Sequence, residues 1–397
     1  MQDSIVSPPG RPRRVTVLGS TGSIGRAACD VIARLPGRLE VFALAAGSNV
    51  DLLAEQVRAF RPRVVALGRA DLETELRAQI GVGWSGSLFF GPSGVESVAA
   101  MEEADIVLNG LVGAAGLRPT WRALTAGRAV ALANKESLVI AGECLAAEAA
   151  RRGARLLPVD SEHNAIFQAL NGQGPDVVRR LVLTASGGPL RERDPATFGT
   201  VTPADALRHP TWAMGPRITV DSATLLNKGF EVIEARWLFG VAPERIEVWI
   251  HPQSVVHGLV EWVDGSTTAI LSVPDMRIPI QNALCYPQRV PGPVAGCDLT
   301  TYGRLDFARP DPGRYPCLAL ARRALAEGGT APAVLNAADE VLVAAFLEGR
   351  IGFLRIGEGL ERVLDGRPSG GCNDLEAVQE ADRWARARAE AVIAAWG

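Results

Sequence analysis

Short β-branched runs alternate with amphipathic stretches from Arg14 to Asp160, and few folds accept that pattern. The runs are RVTVLG, LEVFALAAG, RVVALG, ADIVLNGL, RAVALAN and ARLLPVD, with helix-like segments such as SIGRAACDVIARL and NVDLLAEQVRAF between them. Strands joined by helices of this length pair in parallel and need cover on both faces. The first part of the chain is therefore read as an α/β, doubly wound, Rossmann-type parallel sheet. A chain of 397 residues also exceeds one ordinary core, since domains run to about 150 residues.

After Ser161 the texture changes. A strand VRRLVLTAS, a Gly-Pro-rich loop and a helix near Ser222 to Phe239 lead into IEVWIHPQSVVHGLVEWVDGSTTAILSV, where His-Pro and Asp-Gly turn signals predict an open sheet with hairpins. The expected division is a loose tail over 1–13, a nucleotide-binding domain over 14–160, a central α+β catalytic domain over 161–296, an extended connector over 297–320 and a C-terminal helical bundle over 321–397.

Composition narrows the partners. The net charge is −3 with 21% charged residues, which gives no global attraction for nucleic acid or a membrane surface. No apolar run reaches the roughly 18 residues of a membrane span. The six cysteines are scattered without a C-x-x-C pair, against a zinc ribbon or disulfide framework and in favour of a reducing, cytoplasmic setting.

The first strand runs into a glycine loop, VTVLGSTGSIGRAA, with Gly19, Gly22 and Gly25. A strand, a glycine turn and a helix start in that order suit a dinucleotide pyrophosphate, because backbone N–H groups and the helix dipole meet the anion. The second strand ends in Gly47, Ser48 and Asn49 without the acid that an NAD ribose favours, so NADPH is expected; a plain helix cap at Ser48 or Asn49 is the alternative. Asn134, Lys135 and Glu136 end another strand and should face the same crevice, or cap the helix that follows.

In LLPVDSEHNAIFQAL, Asp160 and Glu162 flank Ser161 where a strand gives way to a helix. They either cap that helix or hold a charge. Further on, Ser186, Gly187 and Gly188 end a strand, and HPTWAMGPRITVDSATLLNKGFEVIEARWLFG gathers His209, Trp212, Met214, Ser222, Asn227, Lys228, Glu231 and Glu234. Asn227 and Glu231 are four apart and share a helix face with Lys228. Ser186, Ser222, Asn227 and Lys228 supply the donors that a phosphate needs, and HPTWAMGP reads as an apolar-tipped loop able to close over a ligand. Asp160, Glu162 and Glu231 together would suit a hard divalent ion.

GSTGSIG, ALANKESLV, PVDSEHNAIFQ, TASGGPLR, HPTWAMGPRITVDSATLLNKGFEVIEARWLF and HPQSVVHGLVEW together resemble the 1-deoxy-D-xylulose 5-phosphate reductoisomerase family, from about Arg14 to the C-terminal helices. The resemblance implies an enzyme dependent on NADPH and on a divalent cation (Mg2+, Mn2+ or Co2+). Its reaction rearranges and reduces 1-deoxy-D-xylulose 5-phosphate to 2-C-methyl-D-erythritol 4-phosphate in isoprenoid precursor synthesis. It places Thr21, Gly22, Ser23, Ile24, Gly47, Ser48, Asn49, Asn134, Glu136 and Gly215 at the cofactor, and Asp160, Glu162 and Glu231 at the metal. Lys135, Ser161, Glu162, Ser186, His209, Ser222, Asn227, Lys228 and Glu231 fall around the substrate, with Lys135, Glu162 and His209 in catalysis and Trp212 and Met214 in a flap. It also implies a homodimer, in line with the exposed-sheet pattern near Val255 to Leu271. Two features depart from the pattern: some relatives carry lysine where Ser48 stands, and Asp221 precedes Ser222, where a carboxylate facing a phosphate would repel it and so should point away.

Overall fold

Aliphatic runs of four to eight residues become strands wherever helices cover them from both sides. The computed structural model describes residues 11–212, 214–368, 370–371 and 374–396, which divide into two units. The first takes in the chain up to Ser137, Leu145–Asn164 and Asp275–Ala295. Along the chain come β1 (Arg13–Leu18), α1 (Ser23–Ala33), β2 (Leu39–Ala46), α2 (Val50–Phe60), β3 (Val64–Leu67), α3 (Glu73–Ile80) and β4 (Ser87–Phe90). Then follow α4 (Gly91–Ala99), β5 (Ile106–Asn109), α5 (Leu117–Thr125), β6 (Ala129–Leu132), α6 (Lys135–Arg152), β7 (Leu156–Pro158) and α7 (Ser161–Leu170).

The seven strands form one parallel sheet in the order β4-β3-β2-β1-β5-β6-β7. β3, β5 and β6 are buried along their whole length, as a sheet covered on both faces requires; each buried Val or Leu contributes about 1.5–3 kcal/mol. Strand order reverses between β1 and β5, so their carboxyl ends open the crevice where such sheets bind ligands. All six strands read from sequence are present. β4 is additional: SLFF is short, and its edge position leaves it half-buried.

The second unit takes in Leu138–Cys144, Ala165–Pro274 and Gly296–Gly397. It holds β8 (Val178–Ala185), the single turn α8 (Pro203–Ala206), α9 (Pro216–Thr224), α10 (Leu226–Phe239), β9 (Ile246–Ile250), β10 (Val256–Trp262) and β11 (Thr267–Leu271). After α11 (Arg277–Cys285), which belongs to the first unit, come α12 (Pro316–Glu327), α13 (Ala331–Leu347), α14 (Leu354–Asp365) and α15 (Leu375–Ala394). The sheet order is β11-β10-β8-β9. β10 and β11 form the hairpin expected at Asp264-Gly265, but β9 pairs with β8 in parallel, so the His251-Pro252 turn closes no hairpin. One core joins Leu181 and Leu183 of β8, Phe230 and Ile233 of α10, and the helices α12 to α15.

Several boundaries differ from the sequence reading: α12 begins at Pro316, inside the connector expected over 297–320, and Leu138–Cys144 belongs to the second unit rather than to the domain expected over 14–160. Arg11 pairs with Asp105 (2.6 Å), and Arg13 begins β1 with its guanidinium donating to the Leu284 and Tyr286 carbonyls (2.8 and 3.0 Å), so the fold starts inside the expected tail; residues 1–10 lie outside the described residues. Asp275–Ala295 packs with the first unit, because α11 lies on α1, β6 and β7. The helix near Ser222 is two helices: α9 ends at Thr224 and α10 begins at Leu226, because Leu225 turns left-handed at φ 57°.

Candidate active site

In the first unit the glycines divide by need. Gly19 has φ 76°, and a Cβ there would come 2.6 Å from the Gly110 carbonyl; a Cβ on Gly25 would overlap Gly19 O and the Ser20 backbone. Only glycine lets the β1 and β5 loops and the α1 start approach so closely. Gly22 caps α1 with no side chain over it and no acid in the first turn, which leaves an N-terminus suited to a pyrophosphate. Gly22 and Ser23 are exposed beside half-buried Thr21 and Ile24, and Gly47, Ser48 and Asn49 are exposed after β2. Asn49 Oδ1 accepts the Leu52 N–H (3.1 Å), so the cap reading holds for this residue.

Asn134 is buried and caps α6. Its Oδ1 accepts from Ser137, and its Nδ2 lies within bonding distance of Leu111 O, Gly113 O and Glu136 Oε2 (3.0, 3.0 and 2.8 Å). Its side chain thereby shapes the 111–116 loop, where a Cβ on Gly116 would collide with it. Lys135 opens α6, and its Nζ reaches Asp160 Oδ2 (2.7 Å), with side chains only 9% and 17% exposed. Asp160 Oδ1 accepts the Glu162 N–H (3.3 Å), and Ser161 Oγ donates to Glu162 Oε2 (2.5 Å). The start of α7 is thus both capped and charged.

In the second unit, Ser186 and His209 form a pair with a defined tautomer. His209 Nδ1 accepts the N–H groups of Thr211 and Trp212 (3.1 and 2.9 Å), so Nε2 carries the proton and donates to Ser186 Oγ (2.9 Å). Burial lowers the His209 pKa, which keeps the ring neutral. Ser186 Oγ also accepts the Gly188 N–H (3.1 Å), and its own hydrogen is what it has left to offer a ligand. Gly187 and Gly188 both have positive φ, and a Cβ on Gly188 would strike Ser222 O, which seats this loop on the end of α9.

On α10, Asn227 Nδ2 donates to Glu231 Oε1 (2.8 Å) and Lys228 Nζ to Glu231 Oε2 (2.6 Å), the shared face that the spacing predicts. Lys228 and Glu231 are buried, so this is no solvated surface pair. Trp212 tilts against His257 at 6.4 Å between ring centroids, and Met214 lies half-buried in the same loop before Gly215, the N-cap of α9. Asp221 Oδ2 lies 3.6 Å from Arg217 Nε.

Family models place the chain. Residues 15–142 match the model described as 1-deoxy-D-xylulose 5-phosphate reductoisomerase, residues 156–239 its C-terminal domain model, and residues 271–388 that of the DXP reductoisomerase C-terminal domain. The 1-deoxy-D-xylulose 5-phosphate reductoisomerase of Cellvibrio japonicus is 49% identical over 98% of this chain and 100% of its own, and that of Ralstonia nicotianae 52% over 96% and 98%. This chain belongs to the 1-deoxy-D-xylulose 5-phosphate reductoisomerase family. Among solved structures, the Zymomonas mobilis reductoisomerase in complex with NADPH matches with TM-score 0.92 and 43% identity, over 96% of this chain and 99% of its own. A DOX-P reductoisomerase in complex with NADPH, fosmidomycin and magnesium matches with TM-score 0.91 and 38% identity, over 96% and 98%.

Two buried polar residues near the groups of the first unit are ones that the sequence reading passed over. Asn109, fully buried at the end of β5, donates to Gly116 O and Thr120 Oγ1 (2.9 and 2.7 Å) and so holds the other wall of the crevice. Its signal was the Asn109-Gly110 step near the end of ADIVLNGL. His163 lies fully buried with Nδ1 3.7 Å from Asp160 Oδ1, one helical turn beyond it.

Proposed function

We propose that this chain converts 1-deoxy-D-xylulose 5-phosphate and NADPH to 2-C-methyl-D-erythritol 4-phosphate with a divalent cation. The observation that carries this is the donor set of the second unit, a tautomer-fixed Ser186–His209 pair and half-buried Asn227 with buried Lys228 and Glu231, in a chain that covers 98–100% of the reductoisomerase relatives named above.

Ser186, Ser222, Asn227 and Lys228 hold the substrate phosphate: hydroxyl and amide donors plus one ammonium match its oxygens. Asn227 Oδ1 is buried and accepts no hydrogen bond among the described residues, a site for a substrate hydroxyl. Asp160, Glu162 and Glu231 hold the cation, and an all-carboxylate set fits Mg2+ or Mn2+. When bound, the cation supplies charge stabilisation at the sugar's carbonyl and hydroxyl oxygens, and NADPH supplies the hydride.

Lys135, paired with Asp160, steadies negative charge on the sugar oxygens and returns a proton. Glu162, relayed through Ser161, takes up a hydroxyl proton. His209 holds the Ser186 hydroxyl in place. Trp212 and Met214 close the loop over the ligand and exclude water. The β1 loop with Thr21 to Ile24, the β2 end with Gly47 to Asn49, the α6 start with Asn134 and Glu136, and Gly215 receive NADPH, where Ser48 and Asn49 donate to the 2′-phosphate. The chain works as a homodimer through the sheet around Val255 to Leu271, with its thiols reduced in the cytoplasm.

The test supplies 1-deoxy-D-xylulose 5-phosphate, NADPH and Mg2+ or Mn2+ and follows NADPH absorbance and product. Oxidation of NADPH with stoichiometric product is expected. No consumption with any divalent metal would sink the reading.

A further inference from the structure

One buried cluster in the second unit is not used by this chemistry. Arg217, the second residue of α9, crosses to α13. Its Nε and one terminal nitrogen both reach Asp339 Oδ2 (3.0 and 2.8 Å), that nitrogen also reaches Asn336 Oδ1 (2.8 Å), and the other meets Glu340 Oε1 (3.0 Å). Asp339 is fully buried, and its guanidinium partner also lies over the Phe230 ring of α10 at 6.0 Å. A cation in the first turn of a helix opposes the dipole, and within α9 Arg217 makes the longer pair with Asp221 (3.6 Å), so its short bonds go to another helix. Four bonds from its planar fork reach acceptors there.

What α9 carries explains the need. At its N-terminus Gly215, the end of the Trp212–Met214 loop, accepts the Thr219 N–H and hydroxyl (3.2 and 2.8 Å). At its C-terminal end sits Ser222, against whose carbonyl Gly188 is packed. One short helix therefore sets both the loop and two phosphate donors, Ser222 and, through the Gly188 turn, Ser186.

We propose that Arg217 is a positioning residue for substrate capture: it locks α9 to the C-terminal helical bundle through Asp339, so that the bundle sets the place of the loop and of the phosphate donors. The inference rests on the proposed reaction for its kinetic arm only.

Removing Arg217 alone leaves Asp339 buried and uncompensated, and that variant is expected to fold poorly. The deciding variant is Arg217→Gln/Asp339→Asn, which removes the guanidinium and its fully buried partner at nearly constant volume, with Asp221→Asn added to it in a second variant because Asp221 is also buried beside Arg217. Its KM for 1-deoxy-D-xylulose 5-phosphate should rise tenfold or more, with the NADPH dissociation constant, read by fluorescence, unchanged. Trypsin cleavage after the exposed Arg208, quantified by peptide mass spectrometry at a temperature where the variant is folded, should quicken by a similar factor. Arg217→Lys, which keeps the charge without the fork, should fall between. A double variant with wild-type KM and wild-type cleavage at Arg208 overturns the proposal, since a merely structural clamp would lower Tm and leave both readings alone. If the wild-type protein turns over no substrate, the proposed reaction fails and the cleavage arm alone decides the role of Arg217.

Discussion

Asp160 Oδ2 lies 2.7 Å from Lys135 Nζ while its Oδ1 accepts the Glu162 N–H, so one carboxylate holds a charge and opens a helix. Asp160→Asn separates the two roles, because asparagine caps as well as aspartate. Helix content by circular dichroism should stay at the wild-type level, while turnover falls a hundredfold or more and the cation concentration needed for activity rises. Retention of full activity would assign Asp160 to capping alone. At His209 the outcome depends on pH. An unfolded imidazole titrates near 6.5, and burial lowers that value in the fold. Between the two values the unfolded chain binds more protons, so the stabilisation is complete above about 6.5 and declines as pH falls toward the folded value. Protonated Nδ1 would face two backbone N–H donors, loosening residues 209–212. The KM for substrate should therefore climb in acid more steeply in the wild type than in His209→Gln, whose profile keeps only the titration of the substrate phosphate; parallel profiles would count against this.

Strand, glycine turn and helix act together between β1 and α1, where NADPH is proposed to bind. Gly25→Ala would drive a methyl into Gly19 O, whereas the same change at Gly22 brings Cβ only to 3.3 Å from that oxygen. The expected result is a loss of NADPH affinity of at least a hundredfold, with a lower Tm, for Gly25→Ala, against less than tenfold for Gly22→Ala, both by fluorescence titration. Equal effects would mean that the loop is less tightly packed than described. The strands of this sheet were legible because buried β-branched runs stand out between polar helices. Four-residue β4 at the edge lacked that contrast. The break at Leu225 left no trace, since the residue expected in a left-handed turn is glycine; there a buried leucine is held by packing instead. The Asn227–Glu231 face followed from helical spacing alone, but Lys135 and Asp160 are 25 positions apart on different elements, and no local pattern joins them. The parallel pairing of β8 with β9 was hidden for the same reason.

For the whole molecule, the cation and the nucleotide should be separable. Thorough chelation should abolish turnover and Mg2+ or Mn2+ restore it, while NADPH fluorescence titrations stay unchanged throughout; undiminished NADPH oxidation after chelation would instead favour a simple dehydrogenase. Sedimentation should give twice the mass of one chain, and a single-chain mass would remove the dimer from the proposal. The path of the backbone has a temporal side as well. The seven-stranded sheet is closed by α11, whose residues follow the whole β8 to β11 segment. During synthesis, β1 to β7 leave the ribosome long before the helix that covers β6 and β7, and before the Leu284 and Tyr286 carbonyls that receive Arg13. The amino-terminal half must therefore wait, partly uncovered, for its last piece, and a nascent chain stalled before residue 277 should be unusually dependent on chaperones.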